Sequence, residues 1–146
     1  MTRFAILLLA AGLVWPTQAS AHSHKKKGLE IIHPWTRAML DKAQTTVLVS
    51  MTIKSSGASD RLVGASTPLA AVAEIRAPGN DKALPSLAVG AGKRVELKRK
   101  GPHLLLTGFT TQLDAYASFA MTLVFEKAGS VVIEVMVEEA EQPKRQ

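Results

Sequence analysis

The chain has 146 residues, of which 18 are basic and 12 acidic, and it contains no cysteine, so its formal net charge is +6. This length suits a single domain, and the absence of thiols excludes disulfides and thiolate metal sites. A soft metal ion would have to be bound by methionine and histidine instead.

The N-terminus has the pattern of a secretory signal. Arg3 precedes an apolar run over residues 4–15, and Ala19 and Ala21 form an A-x-A cleavage site. The run is about a dozen residues, short of the ~20 that a membrane-spanning helix needs, so residues 1–21 are predicted to be a cleaved signal peptide rather than an uncleaved anchor. We therefore expect a periplasmic or otherwise exported protein, whose basic surface can weakly contact anionic membranes and for which nucleic acid is not a ligand.

The rest of the chain predicts one all-β domain. Residues 22–28 (HSHKKKG) are charged without an apolar face and predict a flexible arm. Short alternating segments follow over residues 29–138, separated by turn residues, and a polar tail is predicted at 139–146. About seven or eight short strands of this kind favour an antiparallel β-sandwich or barrel, and residues 113–120 are the only stretch that could form a helical turn or two.

Several methionines fall on this strand alternation. Met51, Met121 and Met136 are predicted to be core residues for that reason. Met39 lies in the irregular segment RAMLDKA and could be exposed.

The first predicted strand, LEIIHPW, is expected to end at Pro34. His33 precedes this proline, which favours an extended backbone, and we predict a structural role for it. Trp35 is predicted to be a core anchor rather than a binding platform.

A basic cluster occupies the KRVELKRK segment and the turn after it: Lys93, Arg94, Lys98, Arg99 and Lys100. We interpret it as a solvated outer face and a protected sheet edge. Docking to an acidic partner or to anionic lipid is the alternative.

Cleavage after Ala21 would create a candidate Cu(II) site. The new N-terminus would be His22-Ser23-His24, in which the amine, two deprotonated amides and the His24 imidazole form a tetragonal nitrogen set that suits Cu(II). Cleavage after Ala19 would leave the same pattern ending at His22. The alternative is a solvated arm in which the lysines at 25–27 oppose cation binding.

Four stretches, in order, resemble one family, the exported copper chaperones called PCu(A)C. They are HPWTRAML, VLVSMTIKSSGASDRLVGASTPLAAVAEI, AGKRVELKRKGPHLLLTGF and LVFEKAGSVVIEVMV, and the resemblance spans residues 32–137. It implies a cupredoxin-like antiparallel β-sandwich that carries Cu(I) in the periplasm for assembly of the dinuclear copper centre of cytochrome oxidase. It also implies two histidines and two methionines as ligands, a neutral and soft set that selects Cu(I).

Only one of these four ligands has a counterpart in this chain. The position of the first histidine holds Arg76, and the loop of the first methionine is shortened, with Leu84 or Leu87 nearest to the place. The remaining His-x-Met pair is matched by His103 and Leu105. His103 is thus a candidate copper ligand in an otherwise degenerate site.

No enzyme motif is present: the chain lacks a cysteine nucleophile, G-x-S-x-G, H-E-x-x-H and a glycine-rich phosphate loop. Two functions remain open. One is a copper-handling protein linked to cytochrome oxidase assembly, with copper at His103 or at His22 and His24. The other is a family member without metal that acts as a protein interaction module through the basic strand near Arg76 and His103.

Overall fold

The computed structural model describes residues 23–79 and 82–141. This part of the chain contains eleven strands and no helix: β1 (Ser23–Lys26), β2 (Leu29–Arg37), β3 (Thr46–Ser55), β4 (Asp60–Ser66), β5 (Val72–Arg76), β6 (Ala83–Leu84), β7 (Leu87–Val89), β8 (Arg94–Leu97), β9 (His103–Thr107), β10 (Ser118–Phe125) and β11 (Gly129–Glu138). The predicted all-β class is confirmed. Strands β1, β6 and β7 were not predicted, and residues 113–120 form no helical turn. The predicted signal peptide lies outside the described residues.

The strands follow the order β6-β5-β9-β3-β2-β11-β10-β4-β7, with β1 beside β2 and β8 beside β3. Neighbours are antiparallel except for β2 and β11, which run parallel. Strand β3 changes partner along its length, since Thr46–Val49 pair with β9 and Met51–Lys54 pair with β8. The strands on either side of this change belong to two different layers, so the sheet curls into a nearly closed sandwich.

One face of each long strand forms the core. Its fully buried side chains include Ile31, Val49, Ile53, Leu62, Leu104, Leu106, Leu123, Phe125, Ile133 and Val135. Alternation along β3, β10 and β11 therefore has the period of 2 that the sequence predicts.

The methionines follow the prediction only in part. Met51 and Met121 are buried core residues, as predicted. Met136 is half-buried on the face of β11 opposite Val135 and Val137, so its assignment to the core was wrong. Met39 is buried, not exposed, because its segment folds back and its N–H donates to the Leu113 carbonyl at 3.0 Å.

The segment predicted to be a flexible arm contains strand β1. Its residues pair with β2 from Ser23 opposite Ile32 to Lys26 opposite Leu29. The two linking residues, Lys27 and Gly28, have φ values of 47° and 80°. Positive φ at both central positions defines a type I′ turn, whose twist matches that of a hairpin, and this turn explains why the charged segment forms a strand.

Strand β2 does not end at Pro34. His33 has a φ of 48° and lies in a bulge between Ile32 and Trp35, so the predicted extended backbone at His33 was wrong. A proline is tolerated there because a bulge needs no N–H from it. Before the bulge β2 pairs with β1, and after it with β11.

The bulge also reverses which side chains point inward. Leu29 and Ile31 are buried before it, whereas Pro34 and Thr36 are buried after it. Trp35 therefore lies on the outer face, and its assignment as a core anchor was wrong.

A carboxylate fixes the hairpin between β10 and β11. Asp60 accepts hydrogen bonds from the N–H groups of Arg61, Lys127 and Ala128 at 2.7, 2.9 and 2.9 Å. Burial by itself would raise the pKa of Asp60, but these donors and the charge of Lys127 outweigh it, so the pKa lies below its usual value. The ionised carboxylate thus holds the turn in place.

Candidate functional site

The candidate copper ligand His103 is the first residue of β9. A tight turn precedes it, closed by the Gly101 N–H donating to the Lys98 carbonyl at 2.9 Å. The His103 side chain is 7 % exposed, and its Nδ1 lies 3.0 Å from the Gly101 carbonyl oxygen. Because a carbonyl only accepts, Nδ1 carries a proton, and in the neutral ring the lone pair is on Nε2. Histidines that bind a metal commonly donate their other ring N–H to a carbonyl in this way.

The cross-strand neighbour of His103 is Arg76, on β5. Directly paired residues have Cβ atoms about 4.5–5.5 Å apart, so the side chains of Arg76 and His103 are neighbours on one face of the sheet. Arg76 forms an ion pair with Glu74, two residues earlier on the same face of β5. A permanent cation at this position repels a metal cation and offers it no lone pair.

The other positions of the implied ligand set carry leucines. Leu105 is on β9, on the same face as His103, and pairs with Glu74 of β5. Leu84 is on β6 beside β5, Leu87 is on β7 beside β4, and both pack against the core. The donor set at this end of β5 and β9 does not fit a Cu(I) site of two histidines and two methionines. Within residues 23–79 and 82–141, no three histidine, aspartate or glutamate side chains cluster to hold a metal.

The second candidate site, at the N-terminus, lies only partly in the described residues. His22 is outside them, and His24 is on β1 opposite Ile31. The Glu134 N–H of β11 donates to His24 Nε2 at 3.2 Å, so Nε2 uses its lone pair and the proton of a neutral ring is on Nδ1. His24 and His103 are on strands separated by β2 and β3, and the structure does not bring them together.

The third histidine of the described chain has a surface role. His33 Nε2 lies 3.2 Å from Glu138 Oε1 on β11, and the His33 side chain is exposed. This contact links the bulge of β2 to the end of β11, and no third histidine, aspartate or glutamate among residues 23–79 and 82–141 joins the pair to hold a metal.

The basic cluster is exposed but largely paired with carboxylates. Arg94 and Lys98 both contact Glu96, at 3.5 and 2.8 Å, and Arg99 is 3.8 Å from Glu141. Strand β8 thus has a solvated face of alternating charge, in agreement with the preferred interpretation.

A cavity of 680 Å³ was not predicted from the sequence. Its floor includes Trp35, Leu48 and Leu105, and the cations of the turn after β8 are at its rim. Sequence reasoning missed it because Trp35 was assigned to the core. The dipeptide His33-Pro34 inside an alternating strand was the available signal, since such an interruption marks a bulge that shifts the alternation.

In the described part of the chain, no helix has the length and apolarity to span a bilayer.

The comparisons with known proteins agree with the fold. The LpqE-like family model, described as "Putative lipoprotein LpqE-like", matches residues 29–137. No curated protein matches the chain.

Solved structures with this fold include copper-binding domains. The copper-bound PCuAC domain from PmoF2 superposes with a TM-score of 0.74 at 28 % identity, covering 81 % of this chain and 98 % of that one. The apo PCuAC domain from PmoF1 has a TM-score of 0.75 at 28 % identity, covering 81 % and 99 %. The solution structure of CuI-DR1885 from Deinococcus radiodurans has a TM-score of 0.62 at 22 % identity, covering 84 % and 85 %, and shows likeness of fold alone.

These matches confirm the cupredoxin-like β-sandwich and the PCu(A)C family that the sequence resembles. The chain belongs to the LpqE-like family, whose domain is of the PCu(A)C type.

Proposed function

We propose that this chain is an exported, non-enzymatic copper-handling protein of the PCu(A)C type, linked to assembly of the copper centre of cytochrome oxidase. The observation that supports this most is its likeness to a PCuAC domain solved with copper bound, at 28 % identity and over 98 % of that domain. The description of the matching family as a lipoprotein supports export.

The mode of copper binding in this proposal differs from the one that the family resemblance implies. His103 alone of the four ligand positions has a donor, and Arg76 is its cross-strand neighbour. Copper is therefore handled as Cu(II) by the mature N-terminus, through the amine, two backbone amides and the imidazole of His24, or of His22 after the earlier cut.

Strand β1 competes with this chelate. A planar chelate requires residues 22–24 to leave the extended conformation that Ser23 and His24 have in β1. In the chelate, Cu(II) takes the place of the proton on His24 Nδ1, and that proton moves to Nε2. A protonated Nε2 can no longer accept the hydrogen bond from the Glu134 N–H. Copper uptake is thus coupled to opening of the first two residues of β1.

The test is a Cu(II) titration of the chain from residue 22, followed by desalting. All eleven strands lie between residues 23 and 138, so this chain keeps the fold. We expect about one retained equivalent in the wild type and loss of it in a His22→Ala/His24→Ala variant. A His33→Ala variant is the matched control, because it removes an exposed imidazole outside the chelate. Equal retention by the double variant would disprove the N-terminal site.

A second function is supported by Arg76. Arg76 occupies the position of a metal ligand, beside His103, and forms an ion pair with Glu74. Charged side chains then stand where a metal would bind, as expected of a protein interaction module without metal. Under this alternative the wild type retains no copper after desalting yet still binds an oxidase-assembly protein, which a pull-down with the purified partner would measure.

A further inference from the structure

The cavity on the outer face of β2, β3 and β9 has a composition unlike that of a sandwich exterior. Outward-facing positions in such folds are normally polar. Here three outward positions, one on each strand, are apolar: Trp35, Leu48 and Leu105. Leu48 and Leu105 are directly paired across β3 and β9, so they form a continuous apolar floor.

The charged side chains around this floor are mostly cationic. Lys98, Arg99 and Lys100, from the turn between β8 and β9, line one side of the cavity, and Arg37 lines another. Glu141 is the single carboxylate among the lining residues. The lining thus joins an apolar surface to an excess of positive charge.

Three contacts restrain the Arg37 side chain at the edge of the cavity. Its guanidinium carbon lies 4.8 Å from the centre of the Trp35 ring, and Nη1 lies 3.6 Å from a Glu138 carboxylate oxygen. Nη1 also donates to the Glu139 carbonyl at 3.2 Å. A guanidinium fixed over an aromatic ring presents its remaining donors in a defined direction.

The ion pairs at the rim do not prevent an anion from binding. The Arg99 and Glu141 side chains are 77 % and 71 % exposed, and exposed ion pairs of this kind contribute little to stability because solvent screens them. An incoming anion can therefore displace Glu141 at little cost. Lys100 has no carboxylate of the described chain within ion-pairing distance.

We propose that this cavity binds a small anionic amphiphile, with an acyl or other apolar body on Trp35, Leu48 and Leu105 and a carboxylate or phosphate head at Arg99 and Lys100. The volume of 680 Å³ lies within the range of about 300–1,000 Å³ that is typical of small-molecule pockets. Neither the family model nor the titles of the similar structures name such a ligand, and the proposal does not depend on copper binding.

Trp35 provides a direct readout. The chain has two tryptophans, Trp15 and Trp35, and Trp15 is in the predicted signal peptide. Tryptophan fluorescence of the chain from residue 22 therefore comes from Trp35 alone, and Trp35 is part of the cavity floor. Decanoate and decyl phosphate are the anionic probes and decyltrimethylammonium is the cationic one, each below its micelle concentration.

We expect a saturable change of Trp35 fluorescence with an anionic probe and none with the cation. The ratio of the two anionic affinities identifies the head group. No saturable change with either anion, or an equal response to the cation, would overturn the proposal.

Matched variants test the placement of the two parts of the ligand. An Arg99→Glu/Lys100→Glu variant should raise the half-saturating concentration at least about tenfold, since it removes the charge-assisted hydrogen bonds to the head group and adds two negative charges. A Lys93→Glu/Arg94→Glu variant makes the same charge change outside the cavity and should stay near wild type. Equal weakening by both variants would mean that general surface charge is responsible and would refute the cavity.

A substitution in the cavity floor distinguishes binding inside the cavity from binding to a charged surface. Leu48→Gln should weaken binding of decanoate, whereas Val132→Gln, at a residue 65 % exposed on β11, should not. If vesicles of anionic lipid bind equally to wild type and Leu48→Gln while monomeric decanoate causes no change, the basic face is a membrane surface and the proposal is wrong. Circular dichroism of each variant confirms that the sandwich is retained.

Discussion

His103 and His24 each have one ring nitrogen bonded to the backbone, but in opposite senses. His103 Nδ1 donates to the Gly101 carbonyl, whereas His24 Nε2 accepts from the Glu134 N–H. His103 thus has the protonation pattern of a metal ligand but is next to Arg76 and Leu105, which supply no donor. His24 is next to backbone amides that can complete a chelate but is oriented for a strand contact. In the folded strands, neither histidine therefore has both the tautomer and the neighbouring donor groups that a metal site needs.

The largest effect should come from giving His103 its missing donors. An Arg76→His/Leu105→Met variant places an imidazole opposite His103 and a thioether two residues along β9. We expect Cu(I) affinity to rise about 1,000-fold, since even groups outside the coordination sphere change metal affinity by about 10- to 100-fold each. Competition with a Cu(I) chelator measures the change.

An Arg76→Gln/Leu105→Ile variant is its control, because it removes the cation without adding an imidazole or a thioether. A similar rise in that control would show that repulsion by Arg76, not the donor count, limits binding.

A smaller effect, on stability and not on metal, is expected at Asp60. Asp60→Ala removes the acceptor of three N–H bonds and should lower the free energy of unfolding by about 2–3 kcal/mol, measured by urea denaturation. Glu126→Ala, on an exposed residue of the same hairpin, should cost far less. If Asp60→Ala also alters Cu(II) affinity, metal binding by the histidines depends on more than the groups next to them.

The same carboxylate sets a pH dependence. The pKa of Asp60 is lower in the folded than in the unfolded chain, so its contribution is fully present above its ordinary pKa of about 3.9 and is lost as pH falls through the folded value. The stability difference between wild type and Asp60→Ala should therefore shrink in acid. A difference that is constant between pH 6 and pH 2 would contradict the role of the ionised group.

The smallest effect should come from loosening β1. In Gly28→Val a β-branched residue must adopt a φ near 80°, which costs about 1–2 kcal/mol and weakens the turn. If the chelate competes with β1, Cu(II) affinity should rise about five- to tenfold in a calorimetric titration. Gly57→Val is the matched control, because a Cβ there meets no atom within 4 Å and its φ is not positive. Equal affinities in wild type and Gly28→Val would show that β1 and the chelate do not compete.

The sequence predicts the regular part of this fold well and its irregular points poorly. Alternation in β3 and in the hairpin of β10 and β11 leaves one buried face, so period and burial agree. Strand β1 was missed because its alternation is weak and the type I′ turn at Lys27-Gly28 is formed by a charged segment.

The sequence predicted which residues occupy the candidate sites but not which groups surround them. The resemblance placed Arg76 and His103 at matching positions, and the register of β5 and β9 makes them cross-strand partners. The tautomers depend on Gly101 and Glu134, which no motif connects to the histidines. The cavity depends on a one-residue bulge at His33, which moves Trp35 to the outer face.

The most direct test of the central claim is a ring-nitrogen NMR spectrum of the four histidines, recorded before and after one equivalent of Cu(I) under reducing conditions. We predict that His103 keeps its Nδ1 proton and that its Nε2 resonance does not move, because Arg76 and Leu105 leave it without partner ligands. A shift of His103 Nε2 to a coordinated position, with the copper retained through desalting, would contradict the account.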